Sequence, residues 1–107
     1  MGAPVEFWFD FISPFGYLAS TKVDALAQRY GRDTRWRPLL LGVTVMKVMG
    51  LKPLPETPLK QDYVRRDPPR LARLLGVPFR LHGLRGINSL AAARAFLWLE
   101  KTDPALA

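Results

Sequence analysis

Residues 5–12, Val-Glu-Phe-Trp-Phe-Asp-Phe-Ile, alternate with a period of two. Val5, Phe7, Phe9 and Phe11 fall on one face of a strand, and Glu6, Trp8, Asp10 and Ile12 on the other. Trp8 and Ile12 make the second face half-apolar, which predicts a strand buried between layers of a parallel or mixed sheet. Ser13-Pro14 follows at once, a favoured N-cap before a favoured first helical residue, and predicts a helix opening there. Tyr17, Leu18, Val23, Leu26, Ala27 and Tyr30 recur near helical spacing, and Gly31 suits the position just past the helix end. A second strand is expected over residues 34–41, with Trp36 between Arg35 and Arg37 and with Pro38 at an edge or bulge. Strand, helix and strand in this order make a βαβ unit, whose strands run parallel.

After Gly42 the pattern turns helical. Residues 43–49 read as a short helix, and residues 50–58, with three prolines, as an extended loop. Thr57-Pro58 repeats the cap-then-proline signal and predicts a helix through residue 66. Asp67-Pro68-Pro69 is a third such signal, and two prolines there predict a break or kink. Residues 70–75 close at Gly76, and residues 77–87 form a loop holding His82. Asn88 caps a helix over residues 89–101, in which Phe96, Leu97 and Trp98 read as a core stripe. Asp103-Pro104 resembles one more helix start. The fold class is α/β. Two strands are marginal alone, and an exposed apolar edge invites aggregation. The chain is therefore expected to be the N-terminal part of a longer protein, or to complete its sheet with a partner.

Composition narrows the chemistry. The 107 residues carry 16 basic and 9 acidic side chains, a net charge of +7, with 49% hydrophobic and 23% charged residues. That balance excludes a disordered tail. No cysteine is present, which excludes a disulfide framework, a thiolate metal site and a thiol nucleophile. A single histidine does not make an imidazole zinc cluster. No apolar run approaches the roughly 18 residues of a membrane span. The start lacks the basic region and apolar stretch of a signal peptide, so a soluble, cytoplasmic protein is expected. The positive charge is spread along the chain and favours an anionic partner, either a small carboxylate or phosphate or a polyanion.

The junction from Phe11 to Tyr17 is the best candidate site. Ser13 lies at the carboxyl end of a strand, where open α/β sheets place ligands, and at a helix N-terminus, where free N–H groups favour an anion. Its hydroxyl could donate to a thiolate or carboxylate, or could simply cap the helix. No general base is evident for nucleophilic attack by Ser13. Lys60, Tyr63 and Asp67 are spaced to share one helix face, offering a cation to a ligand carboxylate or forming only a solvated surface. Asp67 has a rival role as a cap before Pro68. Arg65, Arg66, Arg70, Arg73, Arg80 and Arg85 form a basic stretch. Only Phe79 is interleaved with it, so a solvated surface is the simpler reading than a nucleic-acid site. His82 lacks an orienting partner and reads as a surface residue.

Phe-Asp-Phe-Ile-Ser-Pro-Phe-Gly-Tyr-Leu, residues 9–18, resembles the opening of 2-hydroxychromene-2-carboxylate isomerases. These are thioredoxin-fold proteins of the DsbA and kappa-class glutathione transferase group. The similarity continues through Trp36-Arg37-Pro38-Leu39-Leu40-Leu41-Gly42, Pro58-Leu59-Lys60-Gln61-Asp62-Tyr63, Arg66-Asp67, Gly76-Val77-Pro78-Phe79 and Asn88-Ser89-Leu90. The resemblance implies a thioredoxin-like βαβ half over residues 1–42 and part of an inserted helical domain over residues 43–107, with the C-terminal thioredoxin half absent. It implies glutathione as cofactor, Ser13 as the catalytic residue beside its sulfur, and Lys60 as a second glutathione contact. Phe15, Tyr17 and Tyr63 would meet a small aromatic carboxylate substrate in an aromatic-degradation isomerase or related transferase. Leu51 stands where many members carry an asparagine, and Pro68-Pro69 interrupts a helix that is usually continuous. With half the pocket absent, the chain is expected to bind glutathione poorly or not at all and to have weak or no activity. A homodimer or the missing half are the expected macromolecular partners, and neither nucleic acid nor membrane is. A non-catalytic thioredoxin-like module holding a thiol or peptide is the alternative, with a basic nucleic-acid binder third.

Overall fold

A computed structural model describes residues 2–53, 56–80 and 88–107. The loop residues around His82 and Arg85 lie outside the described residues. Strand β1 spans Val5–Phe9 and pairs in parallel with β2, Thr34–Pro38. The register sets Phe7 against Trp36 and Trp8 against Arg37. Both strands are shorter than their apolar patterns because the chain turns at Asp10 and again after Pro38. Pro38 occupies the final strand position, where its missing N–H does least harm, and the Leu39 N–H continues the ladder to the Phe9 carbonyl at 2.8 Å.

The two faces of this pair are unlike. Phe7, Phe9 and Trp36 form one aromatic layer, with Phe7–Trp36 ring centroids 5.0 Å apart and Phe9–Trp36 5.7 Å apart, both edge-to-face. Phe96 closes on Phe9 at 5.3 Å. The opposite face is open rather than buried between layers: Trp8 is 55% exposed. There Arg37 lies 5.7 Å over the Trp8 ring and pairs with Glu6 at 3.1 Å, covering the face with charge.

The connection between the strands is two helices, not the single one expected. α1 spans Pro14–Ser20 and α2 spans Val23–Arg29. Thr21 ends the first: its hydroxyl donates to the Leu18 carbonyl at 2.7 Å, and its N–H and that of Lys22 bond three residues back. Such local bonds compete with helical ones. Leu18 and Ala27 are buried, whereas Leu26 and Tyr30 are exposed. Gly31 takes the left-handed conformation (φ 66°) past the end of α2, as glycine does readily.

A π-helical segment, Gly42–Val48, follows. α3 then runs unbroken over Lys60–Leu75, straight through Pro68 and Pro69. This corrects the expected break. The prolines withdraw the N–H groups that the Val64 and Arg65 carbonyls would have received. The opposing term is packing: Val64, Pro68 and Ala72 recur every four residues as a buried stripe, with Pro68 wholly enclosed. The Thr57 cap is also corrected. Its hydroxyl donates to the Pro53 carbonyl at 3.0 Å, and the N-cap position falls to Leu59, whose φ is 69°. Gly76 closes α3 in the left-handed conformation.

α4 spans Leu90–Thr102. Ser89 holds the cap position without a side-chain bond, and the Asn88 side chain accepts the Leu90 N–H at 2.9 Å. Phe96 faces the sheet, but Leu97 and Trp98 are exposed. Three consecutive residues span too much of a helix's circumference to share one face. Asp103-Pro104 opens only a turn, closed by the Leu106 N–H on the Asp103 carbonyl. No helix among the described residues is long and apolar enough to cross a membrane.

Candidate functional site

Ser13 sits where the sequence places it, at the N-cap of α1 just past the carboxyl end of β1. Its Oγ accepts the Gly16 N–H at 2.9 Å, and its carbonyl accepts the Tyr17 N–H at 3.0 Å. The cap uses only the acceptor side of the hydroxyl. Its hydrogen, and the Phe15 N–H, find no acceptor among the described residues. Two unspent donors suit an anionic ligand atom such as a thiolate. Both readings of Ser13 therefore coexist: the oxygen caps while the hydrogen remains available. Because α1 has only seven residues, the dipole behind Ser13 is that of a two-turn helix.

Gly16 makes room for this arrangement. A Cβ there would stand 3.1 Å from both the Ser13 Cβ and Oγ.

α1 packs on α3 and brings together residues far apart in sequence. Phe15 stacks on Tyr63, with centroids 6.5 Å apart and planes inclined by 22°. Tyr17 turns the other way. Its hydroxyl donates to the Pro78 carbonyl at 2.7 Å, and its ring lies 6.1 Å from Phe79. Phe79 is thus packed on Tyr17 rather than interleaved with arginines. Lys60 opens α3 and is exposed, and its ammonium forms no ion pair among the described residues.

Asp67 is not a cap. It lies inside α3, only 6% exposed, and accepts from Arg70 Nη2 at 2.6 Å and Nε at 3.0 Å. The Arg70 hydrogen bonds hold its carboxyl below the usual carboxylate range, against the opposing effect of burial. The hydrogen bond with Asp67, and then its negative charge, raise the Tyr63 phenol above its ordinary value. The same carboxylate raises Arg70. The Tyr63 ring thus lies on Phe15 while Asp67 raises its phenol.

Asp10 escaped the sequence reading. It is 4% exposed, and its two oxygens accept the Ile12 N–H at 3.1 Å and the Leu41 N–H at 2.8 Å. An acidic residue in an otherwise apolar run was the available signal.

A surface groove lies elsewhere, between β2 and α4, lined by Asp24, Arg35, Trp36, Arg37, Phe96 and Glu100 among others, and contains none of the candidate residues. Asp24 accepts the Trp36 Nε1–H at 3.2 Å and Arg37 pairs with Glu6, while Arg37 Nε is buried without a hydrogen-bond partner among the described residues. The donor geometry at Ser13 is the better guide to chemistry.

A parallel βαβ unit with a capped helix directly after β1 is the thioredoxin-like arrangement. Residues 4–107 match the family model of the DSBA-like thioredoxin domain, and the chain belongs to that family. It is 37% identical over 75 residues to a 2-hydroxychromene-2-carboxylate isomerase of Pseudomonas putida, covering 69% of this chain and 37% of the relative. A second isomerase of that name, from Pseudomonas sp. (strain C18), is 36% identical over 75 residues, 69% of this chain and 35% of its own length. Glutathione S-transferase kappa 1 of Caenorhabditis elegans is 27% identical over 108 residues, covering 95% of this chain and 47% of the relative. The chain thus spans half or less of the length of these curated relatives.

Proposed function

We propose that this chain carries the thiol end of a glutathione-dependent cis–trans isomerase site of the 2-hydroxychromene-2-carboxylate type. The observation that carries the reading is the unspent hydroxyl hydrogen of Ser13 at the end of β1. The isomerase and transferase names of the relatives support it. When bound, glutathione would supply a thiolate nucleophile for reversible conjugate addition to the ring-opened form of the substrate, the chemistry by which a cis double bond can become trans. Ser13 donates to the anionic sulfur and favours it over the neutral thiol. The Phe15 N–H, two residues on in the first turn of α1, would be available as a second donor. Lys60 offers a cation to a carboxylate of the tripeptide. Phe15 and Tyr63 would present one aromatic wall to a planar substrate, whereas Tyr17, bonded to the Pro78 carbonyl and packed on Phe79, supports α1 from its other side. The reading divides the chain into a βαβ part over residues 1–42 and a helical part over residues 43–107.

The test is an isomerisation assay with and without glutathione in excess, on the chain and its Ser13→Ala variant. A hydrogen bond to a charged atom contributes about 1.5–3 kcal/mol, so the variant should lose roughly ten- to a hundredfold in rate with a smaller loss in glutathione affinity. Turnover independent of glutathione, or equal losses in rate and affinity, overturns the reading. Glutathione binding with no turnover would favour a non-catalytic thiol-binding module.

A further inference from the structure

We propose that Asp10 is the positioning residue for the Ser13 hydroxyl. Three groups converge on Asp10. Its carbonyl accepts the Ser13 N–H at 3.0 Å, one carboxylate oxygen accepts the Ile12 N–H at 3.1 Å, and the other accepts the Leu41 N–H at 2.8 Å. The first two bonds fold the chain from β1 back on itself, so that the backbone of Ser13 is fixed from below. The third fastens this turn to the exit of β2, 31 residues away in sequence. The hydroxyl is fixed from the other side by the Gly16 N–H, and a Cβ at Gly16 would press on it at 3.1 Å.

The geometry needs a carboxylate. Two backbone donors approach two different oxygens, and an ionised carboxylate accepts at both, whereas a carboxamide of the same shape turns a donor toward one of them. Asp10 is buried, so water cannot substitute for the lost acceptor, and a buried N–H left alone is costly. Both carboxylate oxygens are occupied by the Ile12 and Leu41 amides, so Asp10 acts through the turn. The inference rests on reading Ser13 as the hydroxyl that faces the ligand sulfur, and its test contains no glutathione, so a failed glutathione titration leaves it standing.

The experiment compares Asp10→Asn with the parent chain by NMR. The readouts are amide exchange and the Hα–Hβ couplings of the serines, which distinguish a single staggered rotamer from an average. The expected result is roughly tenfold or greater loss of protection at the Ile12, Gly16 and Leu41 amides, a size appropriate to a lost hydrogen bond. Ser13 couplings should average while those of Ser20 and Ser89 stay unchanged. Leu41→Pro removes one donor at a residue whose φ of −59° suits proline, and serves as the second variant if Asp10→Asn does not fold. It should reproduce the Ser13 averaging. Unchanged Ser13 couplings in the folded variant, or protection lost evenly through β1 and α2, assign Asp10 to general stability and overturn the proposal.

Discussion

Replacing Phe9 by alanine should cost this chain far more than replacing its neighbour Trp8. Phe9 is half-buried and touches four rings: Phe7 at 5.9 Å, Phe11 at 5.3 Å, Trp36 at 5.7 Å and Phe96 at 5.3 Å. Buried Phe→Ala changes cost about 3–5 kcal/mol, and partial exposure places Phe9 near the lower end, at about 3 kcal/mol. Trp8 is larger but faces outward, and its main recorded partner is Arg37. An exposed cation–π contact contributes about 0.5–1 kcal/mol, and with only partial burial beside it Trp8→Ala should cost less than Phe9→Ala. Urea unfolding measures both. With a slope of about 1.5 kcal/mol per molar, Phe9→Ala should lower the midpoint by roughly 2 M and Trp8→Ala by less. Equal losses would mean that both faces of β1 are buried, and would refute the one-sided sheet described above. A coupling of about 0.5–1.5 kcal/mol between Phe9→Leu and Phe96→Leu should accompany it, locating the docking of α4 on that layer.

Three further outcomes follow from named contacts. The depressed Asp67 carboxyl stabilises the fold at pH above the ordinary carboxylate range, and that contribution is lost as pH falls through its lower folded value. Unfolding midpoints measured across acid pH should therefore fall more steeply for the parent than for Asp67→Asn. Tyr63, raised in the folded state, contributes stability below the ordinary phenol range that is lost as pH rises through its folded value, and Tyr63→Phe should flatten that alkaline limb. Leu59 is 97% exposed with a φ of 69°, so Leu59→Gly relieves strain with little loss of packing. A net gain of about 1 kcal/mol in thermal or urea unfolding is expected.

What the sequence discloses here is what is decided locally. The alternation through Phe9 sets the strand and its pairing partner, Ser13-Pro14 sets the start of α1, and Gly31 and Gly76 set helix ends. What it conceals is decided by distant neighbours. Pro68 and Pro69 carry a local signal to break a helix, and the burial of Pro68 between Val64 and Ala72 outweighs it. Thr21 ends α1 through a side-chain bond that no periodicity announces. The same distinction holds in the site. Ser13 is legible from its own dipeptide, whereas the stacking of Phe15 on Tyr63 needs the packing of α1 on α3. Asp10 reads as the polar member of an alternating pair until Leu41 is seen to return to it.

The central claim is that the Ser13 hydroxyl meets an anionic sulfur. NMR titration of the chain with glutathione and with S-methylglutathione tests it directly, because the thioether has no proton to lose. The account predicts weak binding in which glutathione shifts the Phe15 and Gly16 amides, increasingly so as pH rises through the thiol range. S-methylglutathione should leave them nearly still, and Ser13→Ala should abolish the difference. Identical responses to the two ligands, or shifts confined to the exposed arginines of α3, would contradict it.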